Sequence, residues 1–187
     1  MELGIRRYPG SNPRTVGEMN KDERHANFQK RLRKSIIVVK RVGQWMEQFG
    51  QVDIPITHVS PSPEEAHNYR DKGDIYLTKH GIKYRYEVKG MGFKFTNEHD
   101  FKYKEVAVCA VNAWNKSVRD PIAPAGFIVV SNDLFHICQI DVEATFSHWF
   151  SKWMIDRERD DGYWCIVCPL DKVEFTKMIN HKTPETT

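Results

Sequence analysis

The sequence predicts an α/β (α+β) fold in which helices flank a central mixed β-sheet. Three observations favour this class. Apolar residues recur at spacings of three and four over residues 20–50, which predicts one long amphipathic helix. Two β-like runs at residues 75–78 and 82–89 flank a turn and predict a hairpin. The continuous apolar run at residues 125–131 is typical of a buried strand, so sheet and helix elements alternate along the chain.

The first helix has a start signal and a predicted buried stripe. Asn20 and Glu23 have the spacing of a capping box, and the helix is expected to end near Gly50. Residues 52–59 are a predicted strand, and residues 60–73 are predicted to be a loop with one helical turn at residues 63–69. The stripe expected to face the core consists of Phe28, Leu32, Ile36, Val39, Gly43 and Met46.

The second half of the chain continues the alternation. Residues 100–115 carry small and aromatic residues on one face and predict a second helix. Residues 135–142 predict a strand, and the aromatic spacing over residues 144–155 predicts an amphipathic helix. Late strands are expected at residues 163–169 and 173–175.

The length of 187 residues suits one domain that can bury a core without disulfides. Residues 1–19 hold two prolines and three glycines without a clear period, and they predict an N-terminal arm. Residues 20–187 are expected to form a single domain, with its core at about residues 20–131 and a C-terminal extension at residues 132–187.

Composition limits the classes of function. Basic residues exceed acidic ones by 28 to 25, a net charge of +3 that is too small to establish nucleic-acid binding. We expect no membrane partner, because the sequence has no apolar run of spanning length and no signal-peptide pattern. Four cysteines lie in apolar surroundings, which predicts buried, reduced thiols and a cytoplasmic location; they are Cys109, Cys138, Cys165 and Cys168.

The predicted hairpin places charged residues together. Side chains alternate between the two faces of a strand, so Lys83, Arg85, Glu87 and Lys89 share one face. A turn near residue 80 puts Asp74 level with Glu87. Two carboxylates at short range suit a hard cation such as Mg²⁺ or Mn²⁺, which can activate water and stabilise charge on a phosphate.

Lys89 adds a compact ammonium donor that can hold the attacking water or offset charge in the transition state. The three side chains therefore predict metal-dependent phosphodiester cleavage. The structural alternative is an exposed hairpin whose alternating charges form cross-strand salt bridges.

The pattern resembles the PD-(D/E)XK nuclease superfamily, which has the restriction-endonuclease-like fold. Gly73-Asp74 is followed by 12 residues and then by Glu87-Val88-Lys89, and Gly73 stands where the family usually has proline. The resemblance covers roughly residues 20–131 and implies an αβββαβ core with extra C-terminal elements. It also implies Asp74 as the central metal-binding acid, Glu87 as the second metal ligand and Lys89 as the catalytic lysine.

The function that this resemblance implies is a metal-dependent nuclease acting on DNA, and homodimers are frequent in the superfamily. Many members add an acid from the first helix, for which Glu18, Glu23 and Glu47 are the open choices. Without that acid, the alternative is a catalytically inactive module that binds nucleic acid or protein. An RNA-processing nuclease is a further alternative, and the choice between endonuclease and exonuclease stays open.

Contacts to the nucleic-acid backbone are expected just after the charged strand. Lys94, Lys102 and Lys104 follow it, interleaved with aromatic residues that suit either base stacking or a core. The basic face of the first helix between Arg24 and Arg41 is a weaker choice.

Overall fold

The structure is a computed structural model in which two β-sheets and a few helices form a mixed α/β architecture. The predicted N-terminal arm and most of the predicted loop before the hairpin lie outside the described residues. Those described are 21–55, 62, 65, 73–156 and 161–179.

Helices and strands alternate along the chain. The helices are α1 (Lys21–Met46), α2 (Val111–Ser117) and α3 (Val142–Thr145), with 3₁₀ turns at Phe146–His148 and Leu170–Lys172. The strands are β1 (Gln51–Asp53), β2 (Ile75–Lys79), β3 (Ile82–Gly90), β4 (Glu105–Ala110), β5 (Pro124–Val130), β6 (His136–Asp141), β7 (Phe150–Asp156), β8 (Asp161–Pro169) and β9 (Glu174–Lys177).

The larger sheet has six strands in the order β1-β2-β3-β5-β6-β9. Strands β3 and β5 are parallel, and every other neighbouring pair in this sheet is antiparallel. Strand β4 leaves the larger sheet and pairs with β8 in a three-stranded antiparallel sheet of order β4-β8-β7. Strand β3 therefore lies inside the larger sheet, with β2 on one side and β5 on the other.

The two faces of the larger sheet are covered differently. Helix α1 packs Val39, Val42 and Trp45 against one face, where Ile75 and Val88 are buried. The other face packs mainly against the three-stranded sheet and α2, in a core that includes Phe95, Val106, Val108, Trp114, Phe127 and Val129. The expectation of helices on both faces is thus correct for one face, whereas a second sheet covers much of the other.

The hairpin and most later strands were predicted to within two residues, whereas the first strand is shorter than predicted and the buried stripe is correct only in part. Val39, Gly43 and Met46 are buried as predicted, and the side chain of Phe28 lies outside the described part. Only Gln51–Asp53 forms β1, and residues 56–59 of the predicted strand lie outside the described part. Ile36 is 42% exposed although it was expected in the core. Among the side chains of α1 that the structure describes, the buried ones begin at Val39, because the sheet covers only the C-terminal half of this helix.

The predicted helix over residues 100–115 is wrong. Residues Glu105–Ala110 form strand β4, and α2 occupies only Val111–Ser117. Val106 and Val108 alternate with less buried neighbours and face the larger sheet, while the backbone pairs with β8. The period of two in this short run decides the structure, since two β-branched residues gain burial as a strand.

The predicted helix over residues 144–155 is also wrong. The helical segment ends by His148, and Phe150–Asp156 forms strand β7. Trp153 lies directly opposite Trp164 on β8, with ring centroids 5.6 Å apart. The aromatic spacing that suggested a helix instead supplies a cross-strand aromatic pair, which stabilises antiparallel pairing.

The aromatic core on the second face predicts a large stability difference between two phenylalanines. Phe95 is fully buried and contacts the rings of Phe93, Phe101 and Phe175, whereas Phe135 is 53% exposed. We expect Phe95→Ala to lower the free energy of unfolding by about 3–5 kcal/mol, because it removes apolar contacts and leaves a cavity. Phe135→Ala, the control, should cost under about 1 kcal/mol. Urea denaturation measures both, and similar losses would contradict the packing described.

Candidate functional site

The charged face of β3 lines an open cavity of about 530 Å³ on the side of α2 and the three-stranded sheet. Ile75 and Leu77 of the hairpin belong instead to the core under α1, as strand alternation predicted. Val88 is buried in that core and also borders the cavity. We call this space the β3 cavity. The residues that line it are Tyr76, Arg85, Glu87, Val88, Lys89, Cys109, Ala113, Lys116, Ser117, Asp120, Pro121, Ile122 and Phe127.

Asp74 and Glu87 are neighbours in the hairpin register. Ile75 pairs with Tyr86, so Asp74, the residue before it, comes level with Glu87, the residue after its partner. The half-buried Asp74 accepts a hydrogen bond of 2.7 Å at Oδ2 from the backbone N–H of Val88. This bond fixes Asp74 to β3 one residue from Glu87, although Asp74 is not part of the cavity lining.

Glu87 belongs to an ion-pair network centred on a buried arginine. The Arg85 Nε donates to Glu87 Oε1 at 2.8 Å, and a terminal nitrogen lies 2.6 Å from the same oxygen. The other terminal nitrogen donates to Asp120 Oδ2 at 2.7 Å. Arg85 is only 4% exposed. Burial opposes its charge, but the hydrogen bond to Asp120 and the charge of Glu87 raise the pKa of Arg85 above its ordinary value.

Gly73, immediately before Asp74, makes room for this arginine. Its φ is +92°, a conformation that residues with a side chain rarely adopt. A Cβ placed there would lie 2.5 Å from Arg85 Nε. The glycine at this position therefore has two physical causes, its backbone conformation and the close approach of the guanidinium.

Lys89 reaches toward the three-stranded sheet. Its Nζ lies 3.4 Å from the carbonyl oxygen of Ala107 on β4. Cys109 also lines the cavity, and burial raises the pKa of its thiol to about 12, with Lys89 opposing the shift in part. The Cys109 thiol is thus protonated at neutral pH and is a poor nucleophile. The chemistry available in the β3 cavity comes from its carboxylates and cations.

Two charged residues of this cavity were not identified from the sequence. Lys116 lies in the last turn of α2, and Asp120 follows shortly after that helix. Their four-residue separation puts both near the C-terminal end of α2. The signal was hidden because the predicted helix ended at residue 115, before either residue.

The lysines predicted to contact phosphate lie elsewhere. Lys94, Lys102 and Lys104 are exposed, and they belong to the segment that connects β3 to β4 rather than to the cavity lining. Helix α1 covers the opposite face of the sheet, and neither Glu23 nor Glu47 lines the cavity. Glu18 lies outside the described residues.

The donors near Glu87 match one pattern of metal binding. Within the described ranges, no group of three or more His, Cys, Asp or Glu side chains could hold a metal ion. Mg²⁺ commonly binds through one or two carboxylates, with waters and substrate phosphate as its other ligands. The neighbouring Asp74 and Glu87 fit that pattern, and they would hold the ion. The four cysteines are free thiols, as predicted.

Comparisons with known proteins do not add to this description. Family profiles, curated proteins and solved structures give no match to the chain. No helix in the described part of the chain combines the length and apolar character needed to cross a membrane.

The packing of Gly73 against Arg85 gives a prediction with an internal control. Gly73 and Gly81 both have positive φ, but a Cβ on Gly81 would meet nothing within 4 Å. Gly81→Ala therefore tests backbone strain alone, which is of order 1–3 kcal/mol. We expect Gly73→Ala to destabilise the protein more than Gly81→Ala, because it also displaces the guanidinium. Thermal denaturation measures the difference, and equal melting temperatures would show that Arg85 does not pack on Gly73.

Proposed function

We propose that this protein is a metal-dependent nuclease that hydrolyses phosphodiester bonds in DNA, with Mg²⁺ or Mn²⁺ as its cofactor. The observation that carries the proposal is the register of β2 and β3. It brings Asp74 level with Glu87, and Lys89 follows Glu87 on the same face of β3. Two carboxylates and an amine in this arrangement suit metal-assisted hydrolysis better than they suit a packed core.

The element order also supports the proposal. Helix α1, the antiparallel β1-β2-β3 meander, α2 and then β5 parallel to β3 have the order of the PD-(D/E)XK core that the sequence resembles. Strand β4 is a departure, since it lies between β3 and α2 and pairs in the three-stranded sheet. Strands β6 to β9 would be the extra C-terminal elements.

Each proposed role follows from a side chain's chemistry. Asp74 and Glu87 would bind the ion, which supplies water activation and charge stabilisation when bound. The Lys89 ammonium would hold the attacking water or offset negative charge on the phosphate. Lys116, exposed at the end of α2 and part of the cavity lining, is suited to contact a phosphate of the substrate.

A second candidate function has its own support. Arg85 already pairs with Glu87, and no three-member ligand group occurs among the described residues. These observations favour a catalytically inactive module that binds nucleic acid or protein. An RNA-processing nuclease is the alternative substrate class, and recognition of the 2′-hydroxyl would distinguish it.

The proposed roles predict a loss of cleavage in two variants. Glu87→Gln and Lys89→Ala should lower the rate of DNA cleavage at least about 100-fold, because each removes a group that acts on the transition state. Lys83→Ala is the matched control, since Lys83 lies on the same strand and pairs with Asp53 outside the cavity. The assay uses linear, branched and single-stranded DNA and matched RNA, each with Mg²⁺ or Mn²⁺.

Two outcomes of that assay would contradict the proposal. Cleavage by both variants at the rate of the unmodified protein would make Glu87 and Lys89 structural residues. No cleavage of any substrate by the unmodified protein would favour the binding module.

The predicted phosphate contacts imply a change in salt dependence. Replacing Lys94, Lys102 and Lys104 with alanine should weaken DNA binding for every sequence alike, since contacts to phosphate carry no base information. The slope of log affinity against log salt should flatten by up to about three units. The measurement is a salt titration in Ca²⁺, with alanine at Lys30, Lys34 and Lys40 as the control. A change of slope in the control alone would place the substrate on α1.

A further inference from the structure

Arg85 is the least expected residue of the candidate site, because it places a cation directly on a proposed metal ligand. Two of its nitrogens lie within 2.8 Å of Glu87 Oε1. The side chain is buried, so solvent screens this attraction little. A divalent ion and the guanidinium would both be drawn to the Glu87 carboxylate.

We propose that Arg85 competes with the divalent ion for Glu87, and that ion binding releases Glu87 while Arg85 stays paired with Asp120. This inference depends on the proposed function. Arg85 is then a positioning residue, which acts on the chemistry only through Glu87. Its guanidinium sets both the direction of the Glu87 carboxylate and the ion concentration at which the site fills.

Asp120 makes this exchange energetically reasonable. A buried charge that loses its partner is strongly destabilising. Arg85 would avoid that cost because a different nitrogen donates to Asp120 at 2.7 Å. The Asp120 side chain is 44% exposed, so this second ion pair lies partly in solvent.

The backbone at Gly73 leaves the space that the Arg85 guanidinium occupies. Gly73 holds a φ of +92°, and any Cβ there would overlap Arg85 Nε. The residue before Asp74 thus leaves open the space that Arg85 fills beside Glu87. Three elements of the site depend on this arrangement: the segment before β2, strand β3 and the segment after α2.

The first test is Mn²⁺ binding measured by calorimetry without nucleic acid. An adjacent arginine lowers the proton affinity of a carboxylate by about 10- to 1000-fold, and a divalent ion feels the same repulsion. Arg85→Gln should therefore bind Mn²⁺ at least about tenfold more tightly than the unmodified protein. Lys83→Gln is the matched control, because it removes one positive charge from the same strand outside the cavity; it should change the affinity little.

The outcomes separate this inference from the proposed function. Mn²⁺ binding by the unmodified protein, with equal or weaker binding by Arg85→Gln, would overturn the competition and leave the nuclease proposal standing. Weaker Mn²⁺ binding by Arg85→Gln is the result expected if Arg85 only supports the fold. Absence of Mn²⁺ binding in both proteins would overturn the proposed metal site and the competition together.

A second test uses the unmodified protein, so its result does not depend on whether a variant folds. Saturation with diamagnetic Mg²⁺ should shift the Nε–H resonance of Arg85 in nuclear magnetic resonance spectra, because its bond to Glu87 is lost. Arg41 is the control arginine, since its Nε donates to the carbonyl of Leu134 under α1. Shifts in backbone signals of β3 without a shift at Arg85 would overturn the proposal.

Discussion

The charge on one face of an interior strand is the constraint on which the rest of the structure depends. Strand β3 lies inside the larger sheet, with β2 on one side and β5 on the other. One face is apolar and lies under α1. The other carries Arg85, Glu87 and Lys89, whose burial would be costly without partners. In this fold Arg85 pairs with both Glu87 and Asp120, and the Lys89 ammonium contacts the carbonyl oxygen of Ala107.

This constraint explains why the second face is covered by a sheet that leaves a cavity. The aromatic and aliphatic residues of β5 and β6 pack directly on β4 and β8. Beside that core, α2 and the segment after it line the open β3 cavity together with the charged face of β3. Apolar burial therefore holds the three-stranded sheet in place, and the charged groups occupy the space next to it. The same packing fixes the side chains that the proposed chemistry requires.

Local periodicity predicted the hairpin correctly, although it also gave two wrong helices, at residues 100–115 and 144–155. Alternation along the hairpin was enough to separate Glu87 and Lys89 from Val88 and to place Asp74 beside Glu87. Strand β4 was missed because a six-residue run with alanine and cysteine also fits a helical spacing. Strand β4 pairs with β8, which lies about sixty residues later in the sequence, so no local pattern predicts this pairing.

The remaining parts of the site depend on contacts between distant residues. Arg85 was placed on the charged face from the sequence, but its partner Asp120 is 35 residues away and follows a helix whose position was predicted wrongly. The role of Gly73 becomes visible only once the position of Arg85 is known. Sequence reasoning can thus identify charged residues on a strand, whereas the balance of their charges depends on tertiary packing.

The most direct measurement is an anomalous difference map from a crystal of this protein soaked in Mn²⁺. A metal-dependent site at this hairpin predicts a peak that contacts carboxylate oxygens of both Asp74 and Glu87. Arg85 should then remain on Asp120 and have lost its contact with Glu87. The assignment of Asp74 and Glu87 as metal ligands would be contradicted if a crystal soaked in excess Mn²⁺ gave no peak at these two carboxylates, or gave a peak only elsewhere.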